Sequence, residues 1–304
     1  MKKISKLAMA SAISAVLVFS SCKKDDSIKD PGNSGQAATI NEATQNDAEA
    51  EAQYNELFNI TMGVQSADAG EDVGIGSGAD IIYTGRTNVN GNYLIETPDS
   101  ARCFTVTANP QALHSFPKTI ILDFGTGCVG KDGKTRKGKI TSVYTGPMFI
   151  PGNKVTTTLT GYEVDSFKIE GKQVIENTSS SNSFAWKTDV IHGKITNTVK
   201  GFWKMWVSSK THTRSEGNGT PFYPRDDVFQ ITGDAHGSSS NNNSWTAEIT
   251  DPLIKKNGCR WLSKGVVSIS INNNKGLLDY GSGDCDNNAT ITVNGVSHDI
   301  ILHK

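Results

Sequence analysis

The sequence predicts an all-β fold: an antiparallel meander forming a sandwich or a partly closed barrel, with one N-terminal amphipathic helix. Three observations carry this expectation. Hydrophobic residues make up 36% of the chain and charged residues 20%, with 30 glycines, which supplies a core and many turn formers. From about residue 78, runs of β-branched and aromatic residues alternate with period two between turn signals. No helix-length apolar pattern separates these runs, which argues against parallel βαβ units.

The chain opens on a secretory signal. Lys2, Lys3 and Lys6 precede an apolar stretch from Leu7 to Phe19, and Ser20 and Ser21 lead directly into Cys22. A run this short with a small-residue exit reads as a signal peptide over residues 1–21 and not as a spanning helix. Small residues directly before a cysteine suit lipoprotein signal peptidase, so Cys22 is expected to be the lipidated N-terminus of the mature chain. Several acyl chains together give stable membrane anchoring where one alone is marginal. Residues 22–38, rich in Gly, Pro and Ser toward their end, then read as a lipidated tether.

Residues 39–70 are expected to be helical. Thr39 and Glu42 form a capping-box pair. Ala50, Tyr54, Leu57, Phe58 and Thr61 follow helical spacing, which predicts an amphipathic helix over roughly 40–63. The β-domain fills 71–304. Its clearest strands lie at 80–85, 102–109, 118–125, 138–146, 154–164, 167–176, 193–199, 202–209, 227–233, 245–250, 261–271, 289–293 and 298–302. Asp132-Gly133, Glu170-Gly171 and Asn294-Gly295 are placed as tight hairpin turns.

Two segments repeat. Ile121-Leu122-Asp123-Phe124-Gly125-Thr126-Gly127-Cys128 matches Leu277-Leu278-Asp279-Tyr280-Gly281-Ser282-Gly283, which is followed by Asp284 and Cys285. Each is preceded by another cysteine, 25 residues earlier at Cys103 and 26 earlier at Cys259. The spacing predicts duplicated disulfide hairpins over 98–146 and 257–304, with turns near Ser115-Phe116 and Asn272. With Cys22 assigned to lipid, four cysteines remain, and an even number in an oxidising compartment suggests two disulfides. Cross-strand pairs Cys103–Cys128 and Cys259–Cys285 fit these turns best. The competing pairing is Cys103–Cys259 with Cys128–Cys285.

These motifs, LDFGTGC with a later LLDYGSGDC, resemble a group of uncharacterised Bacteroidota surface lipoproteins over roughly residues 98–304. The residues Cys22-Lys23-Lys24-Asp25-Asp26 similarly resemble the start of lipoproteins exported to the cell surface in that phylum. The resemblance implies a β-rich extracytoplasmic domain at the outer membrane and carries over no activity. Asp26-Ser27-Ile28 and Asp99-Ser100-Ala101 resemble O-glycosylation acceptors of the same envelope proteins.

Charge and motif content narrow the function. The formal net charge is −1, and loss of residues 1–21, with three lysines and no acid, takes it to −4. This leaves no electrostatic footprint for nucleic acid. Asp123 and Asp279 hold equivalent places in the repeats and read as turn caps before they read as an acid–base pair. Asp284, Asp286 and Asn288 have the alternating oxygens of a calcium loop but lack its glycine and closing glutamate. The histidines, His114, His192, His212, His236, His298 and His303, are scattered, and no serine-nucleophile or zinc motif is present. No catalytic residue, metal site or cofactor is therefore predicted.

In Phe202-Trp203-Lys204-Met205-Trp206-Val207, alternation splits the strand. Trp203, Met205 and Val207 are expected to face the core; Phe202, Lys204 and Trp206 fall on the other face, which suits either a half-exposed sheet face with a snorkelling lysine or a flat ligand platform of Phe202 and Trp206. The function expected is a non-enzymatic binding or structural lipoprotein of the outer envelope, with a carbohydrate-binding accessory protein and a hydrolase as alternatives. The membrane, through the anchor, and glycans are the expected partners; oligomeric state is left open.

Overall fold

The computed structural model describes residues 33–62, 104–112, 115–130, 133–217, 226–259 and 261–302. Helix α1 spans Asn33–Met62. The strands that follow are β1 (Thr105–Asn109), β2 (Lys118–Asp123), β3 (Cys128–Val129), β4 (Thr135–Tyr144), β5 (Lys154–Val164), β6 (Phe167–Asn177) and β7 (Ala185–Asn197). The series continues with β8 (Trp203–Glu216), β9 (Val228–Ser239), β10 (Ser244–Lys256), β11 (Lys264–Ile271), β12 (Asn274–Ser282), β13 (Asn288–Val293) and β14 (Val296–Ile301).

All belong to one sheet, in chain order apart from short β3, which pairs with β4 off the main path. Every pairing is antiparallel, as the meander predicted from sequence requires. Among the described residues the sheet does not close, and its outer strands are β1 and β14.

One helix meets most of that sheet. Tyr144 on β4 donates its hydroxyl to the Thr61 carbonyl at 2.7 Å, and Thr157 on β5 lies 3.1 Å from the Thr61 hydroxyl. On β6, the Glu170 carbonyl accepts the Tyr54 hydroxyl at 2.7 Å, and Gln173 donates to the Tyr54 carbonyl at 2.9 Å. At the other end Ile40 packs on Gly276 of β12, where an added Cβ would come within 2.4 Å of its Cγ2. The sheet therefore coils around α1. From Asp47 to Met62 no helix residue is exposed.

The core lies between the helix and the concave face of the sheet. Ile40, Tyr54, Leu57 and Phe58 meet Ile120, Ile140, Ile175, Trp206, Phe229, Ile231 and Leu278 there. Each such side chain contributes about 1.5–3 kcal/mol by burial. A sheet this wide coils because its strands are bent by bulges. At Gly171 (φ 111°) the β6–β7 register shifts between Glu170 and Lys172. An added Cβ at that glycine would meet the His192 carbonyl oxygen at 2.7 Å. Glu170-Gly171 is thus a bulge inside a strand and not the hairpin turn expected; the β5–β6 turn falls at Asp165 (φ 52°) and Ser166. Asn294 (φ 50°) and Gly295 (φ 79°) do form the β13–β14 turn.

The helix also departs from expectation. It begins at Asn33, so residues 33–38 are helical and not tether, and Thr39 lies inside the helix instead of capping it. Its hydroxyl donates to the Gly35 carbonyl one turn back at 2.9 Å, the bond Thr makes mid-helix. Residues 1–32 and 63–103, which hold Cys22, Cys103, the 80–85 strand and both Asp-Ser triplets, lie outside the described residues.

The repeat folds alike at the two ends of the meander. Asp123 accepts the Gly125 backbone N–H at 2.9 Å, and Asp279 accepts that of Gly281 at 2.8 Å. Phe124 and Tyr280 are both buried. Cys259 and Cys285 are joined by a disulfide with Cα atoms 5.3 Å apart, across the β11–β12 hairpin whose turn is Asn272-Asn273 (φ 48° and 66°). That bond excludes the competing pairing. Cys128 is also disulfide-bonded.

Candidate functional site

Strand β8 sets the chemistry beneath the helix. Its Lys204, Trp206, Ser208, Lys210 and His212 face inward and are buried, while Met205 and Val207 are exposed. The expected facing is reversed. A strand with two lysines on one face looks solvated when read alone. Here helix acids meet that face. Glu49 pairs with Lys204 at 2.8 Å, and Glu51 pairs with Lys210, both partners of the second pair being buried. Further along, Glu56 binds Arg136 at 2.6 Å and also Lys134.

Asp47 occupies the centre. One of its oxygens accepts the indole N–H of Trp206 at 2.8 Å and that of Trp245 at 3.1 Å. The Trp206 ring stacks on Tyr54 (centroids 5.4 Å apart) and carries the Lys210 ammonium 5.2 Å from its centroid. Trp206 is 2% exposed. It is an anchor for the helix and not a ligand platform.

Burial perturbs these groups. It pulls Lys210 down to about 8, against the raising effect of Asp47 and Asp234. It lowers Lys204 as well, against the nearby Glu49 carboxylate. Burial alone would raise Glu56, but Lys134 and Arg136 outweigh it and hold the carboxyl below its ordinary value. His212, stacked on Phe58 at 4.9 Å, is pushed down to about 3 by burial and by Lys210. These groups hold the helix, and none of them lines either of the two hollows described below.

The hollow that does open lies over the N-terminal half of α1, with a volume of ≈ 450 Å³. Glu42, Asn46 and Glu49 line it from the helix, Phe202 and Trp203 from the start of β8, and Ser239 to Asn241 from the β9–β10 turn. Trp261 and edge strand β14 complete it. Phe202 thus lines this groove, and the tryptophan beside it in the chain that does so is Trp203, not Trp206.

The groove is braced on several sides. Glu42 accepts the side-chain amides of Asn241 at 2.7 Å and Asn243 at 3.3 Å. Asn197 accepts the backbone N–H groups of Val199 and Lys200 at 3.1 and 2.8 Å, shaping the β7–β8 turn. The Lys194 ammonium sits 5.5 Å from the Trp203 ring centroid. Two oxygens are left over: Glu49 Oε1 and Ser239 Oγ are buried with no hydrogen-bond partner among the described residues.

A second hollow, of ≈ 440 Å³, gathers Asp279, Asp284, Asp286, Asn288 and Asp299. Three of its four carboxylates are engaged locally: Asp279 with Gly281, Asp286 with Asn288 at 3.0 and 2.9 Å, and Asp299 with Thr290 at 3.1 Å. Among the described residues no group of three His, Cys, Asp or Glu could hold a metal ion. Asp123 and Asp279 each cap their own turn, and His236 pairs with Asp234 at 3.3 Å.

Glu49, Ser239, Trp203 and Trp261 escaped sequence reasoning as a group. They come from four distant segments, and no local spacing links them. The chain matches no known family model, no curated protein and no solved structure.

Proposed function

We propose that this chain is a lipid-anchored binding protein of the bacterial outer envelope, held at Cys22 and presenting the groove over α1 to its ligand. The groove is the observation that carries the binding half of this reading. It falls in the size range of small-ligand sites and combines aromatic walls with a few placed polar groups. Its carboxylates support binding over catalysis, because Glu42 is clamped by Asn241 and Asn243 and Glu49 by Lys204. The anchor rests on the Lys-rich, apolar, Ser-Ser-Cys start of the chain, and the Lys-Lys-Asp-Asp that follows supports exposure on the outer face. The similarity to Bacteroidota surface lipoproteins belongs to the same proposal.

Membrane flotation with palmitate labelling tests the anchor. Wild-type protein floats with the outer membrane and carries label; Cys22→Ser does neither. A Cys22→Ser chain that still floats and labels contradicts the anchor. Protease treatment of whole cells tests the facing, since a surface protein is cut without lysis.

A further inference from the structure

We propose that β14 is a docking edge, to which an extended partner segment with alternating basic and apolar side chains adds as a further strand. This rests on the reading of the groove as the ligand site and names what enters it.

The main chain of β14 carries the argument. Among the described residues it pairs only with β13, from Asn288↔Ile301 to Val293↔Val296. Just past the strand, the Leu302 N–H donates to the Asn287 carbonyl at 2.8 Å. In an antiparallel pair such bonds recur at every second residue, so Ile300, His298 and Val296 also turn their main-chain groups to β13. Those of Ser297, Asp299 and Ile301 turn to the open side. Natural sheets blunt an open edge with lysine, proline or a bulge. This strand has no lysine or proline, and its register runs without a shift. Its single carboxylate, Asp299, is held by Thr290 of β13 at 3.1 Å, and Ile301 is 55% exposed. Strand addition uses an edge of this kind.

Both hollows meet at this strand. Ile300 and Ile301 line the groove and the acidic hollow alike, whereas β1, the other outer strand, lines neither. The groove lies on the face that meets α1, and its charges offset one another. Glu42 and Glu49 share the lining with Lys200, and Lys204 pairs with Glu49. With Phe202, Trp203 and Trp261 around them, the groove suits an apolar side chain. The opposite face carries Asp279 and Asp299 in one row through Thr290. Asp284 and Asp286 join them in the acidic hollow, which no Lys, Arg or His lines among the described residues. Lys256 reaches the same loop, donating to the Gly283 carbonyl at 2.6 Å, and offsets only part of that charge. Successive side chains of a strand point to opposite faces. A strand added to β14 therefore sends alternate residues to the aromatic groove and to the acidic hollow, and the pattern that matches is apolar, basic, apolar, basic.

The test is an array of short peptides, apolar at alternate positions with lysine, glutamate or serine between, probed with the detergent-solubilised full-length protein. Fluorescence anisotropy then measures the affinity of the best peptides. The lysine series should bind and the glutamate series should not. N-methylation of alternate peptide residues should abolish binding in one phase and spare it in the other, because only every second N–H faces β14. Ile301→Pro removes a donor from the open side alone, so it should weaken binding about fivefold or more and leave the β13 ladder and the Tm little changed. Asp299→Asn should weaken the lysine series about twofold to fivefold and reduce its salt dependence. Trp203→Ala should weaken binding about tenfold; the peptide modifications keep the test valid if any variant unfolds.

Absence of peptide binding overturns the proposal, including the case in which residues 63–103 of this chain already cover β14. Binding that ignores both N-methylation and Ile301→Pro also overturns it; if Trp203→Ala still abolishes that binding, the groove stands as the ligand site without strand addition. Binding that responds to N-methylation but ignores Trp203→Ala overturns this proposal and the groove reading together. The anchor is judged separately by flotation.

Discussion

Asp47 is the residue through which the helix is most directly tied to the sheet, and its removal gives a worked expectation. Asp47→Ala strands the indole N–H groups of Trp206 and Trp245, which sit 2.8 and 3.1 Å from one carboxylate oxygen in a site where all three residues are buried. Hydrogen bonds to a charged group contribute about 1.5–3 kcal/mol each, and each stranded buried donor adds its own desolvation cost. The two bonds together give a loss of about 3–6 kcal/mol. Against a typical domain stability of about 5–15 kcal/mol this is severe. With a urea slope of about 2–3 kcal/mol/M, the midpoint should fall by about 1–3 M. Asp47→Asn keeps an acceptor and loses only the charge, so it should cost about 1–2 kcal/mol. Equilibrium urea unfolding followed by tryptophan fluorescence measures both. An Asp47→Ala midpoint within about 0.3 M of wild type would refute the role assigned to this carboxylate.

Three further outcomes are expected. Gly193→Ala should cost about 2 kcal/mol or more, because the new Cβ would lie 2.4 Å from the Trp206 carbonyl oxygen and 2.6 Å from the Tyr54 hydroxyl; thermal melting checks it. Replacing Cys259 and Cys285 by serine should cost about 3.5 kcal/mol from loss of a closed loop spanning 26 residues, read by the same urea titration under non-reducing conditions. The third concerns pH. His212 is lowered from 6.5 to about 3, so the unfolded chain takes up its proton first and stability falls as pH drops from about 6.5 toward 3. Asp227 is raised from 3.8 to about 6, mainly by burial with Asp226 adding to it and Arg214 opposing, so it works the other way, with stability rising as pH falls from about 6 toward 4. His212→Phe should therefore flatten the acid limb of a stability–pH curve and Asp227→Asn should steepen it; an unchanged curve for both contradicts these assignments.

Much of the fold was legible because it is written locally. Period-two runs located most of the strands, and the Asn-rich turn between the paired cysteines located the β11–β12 hairpin. The repeated Asp-aromatic-Gly marked the same turn cap twice. What was hidden depends on partners far along the chain. The inward face of β8 looks solvated because it carries Lys204 and Lys210, and only the acids of α1 reveal that it is buried. The helix itself was legible, but its enclosure was hidden for the complementary reason: a sheet that wraps it touches nearly all its sides, so its buried positions include Asp47 and Glu51 and no clean apolar stripe survives. Bulges such as that at Gly171 resemble turns in sequence because both use left-handed backbone. The groove was the least legible feature. Phe202 lines it, but Glu49 and Ser239, which line it from α1 and the end of β9, have no local mark in the sequence.

The central claim is that α1 is an interior element around which the sheet coils, with the groove lying over its N-terminal half. Native-state hydrogen exchange of the helix amides tests this most directly. Enclosure by the sheet predicts that amides from Ala50 to Phe58 exchange as slowly as those of β6 to β8, at rates set by global unfolding. Exchange of those helix amides orders of magnitude faster than the strands, as for a helix lying on the surface, would contradict it.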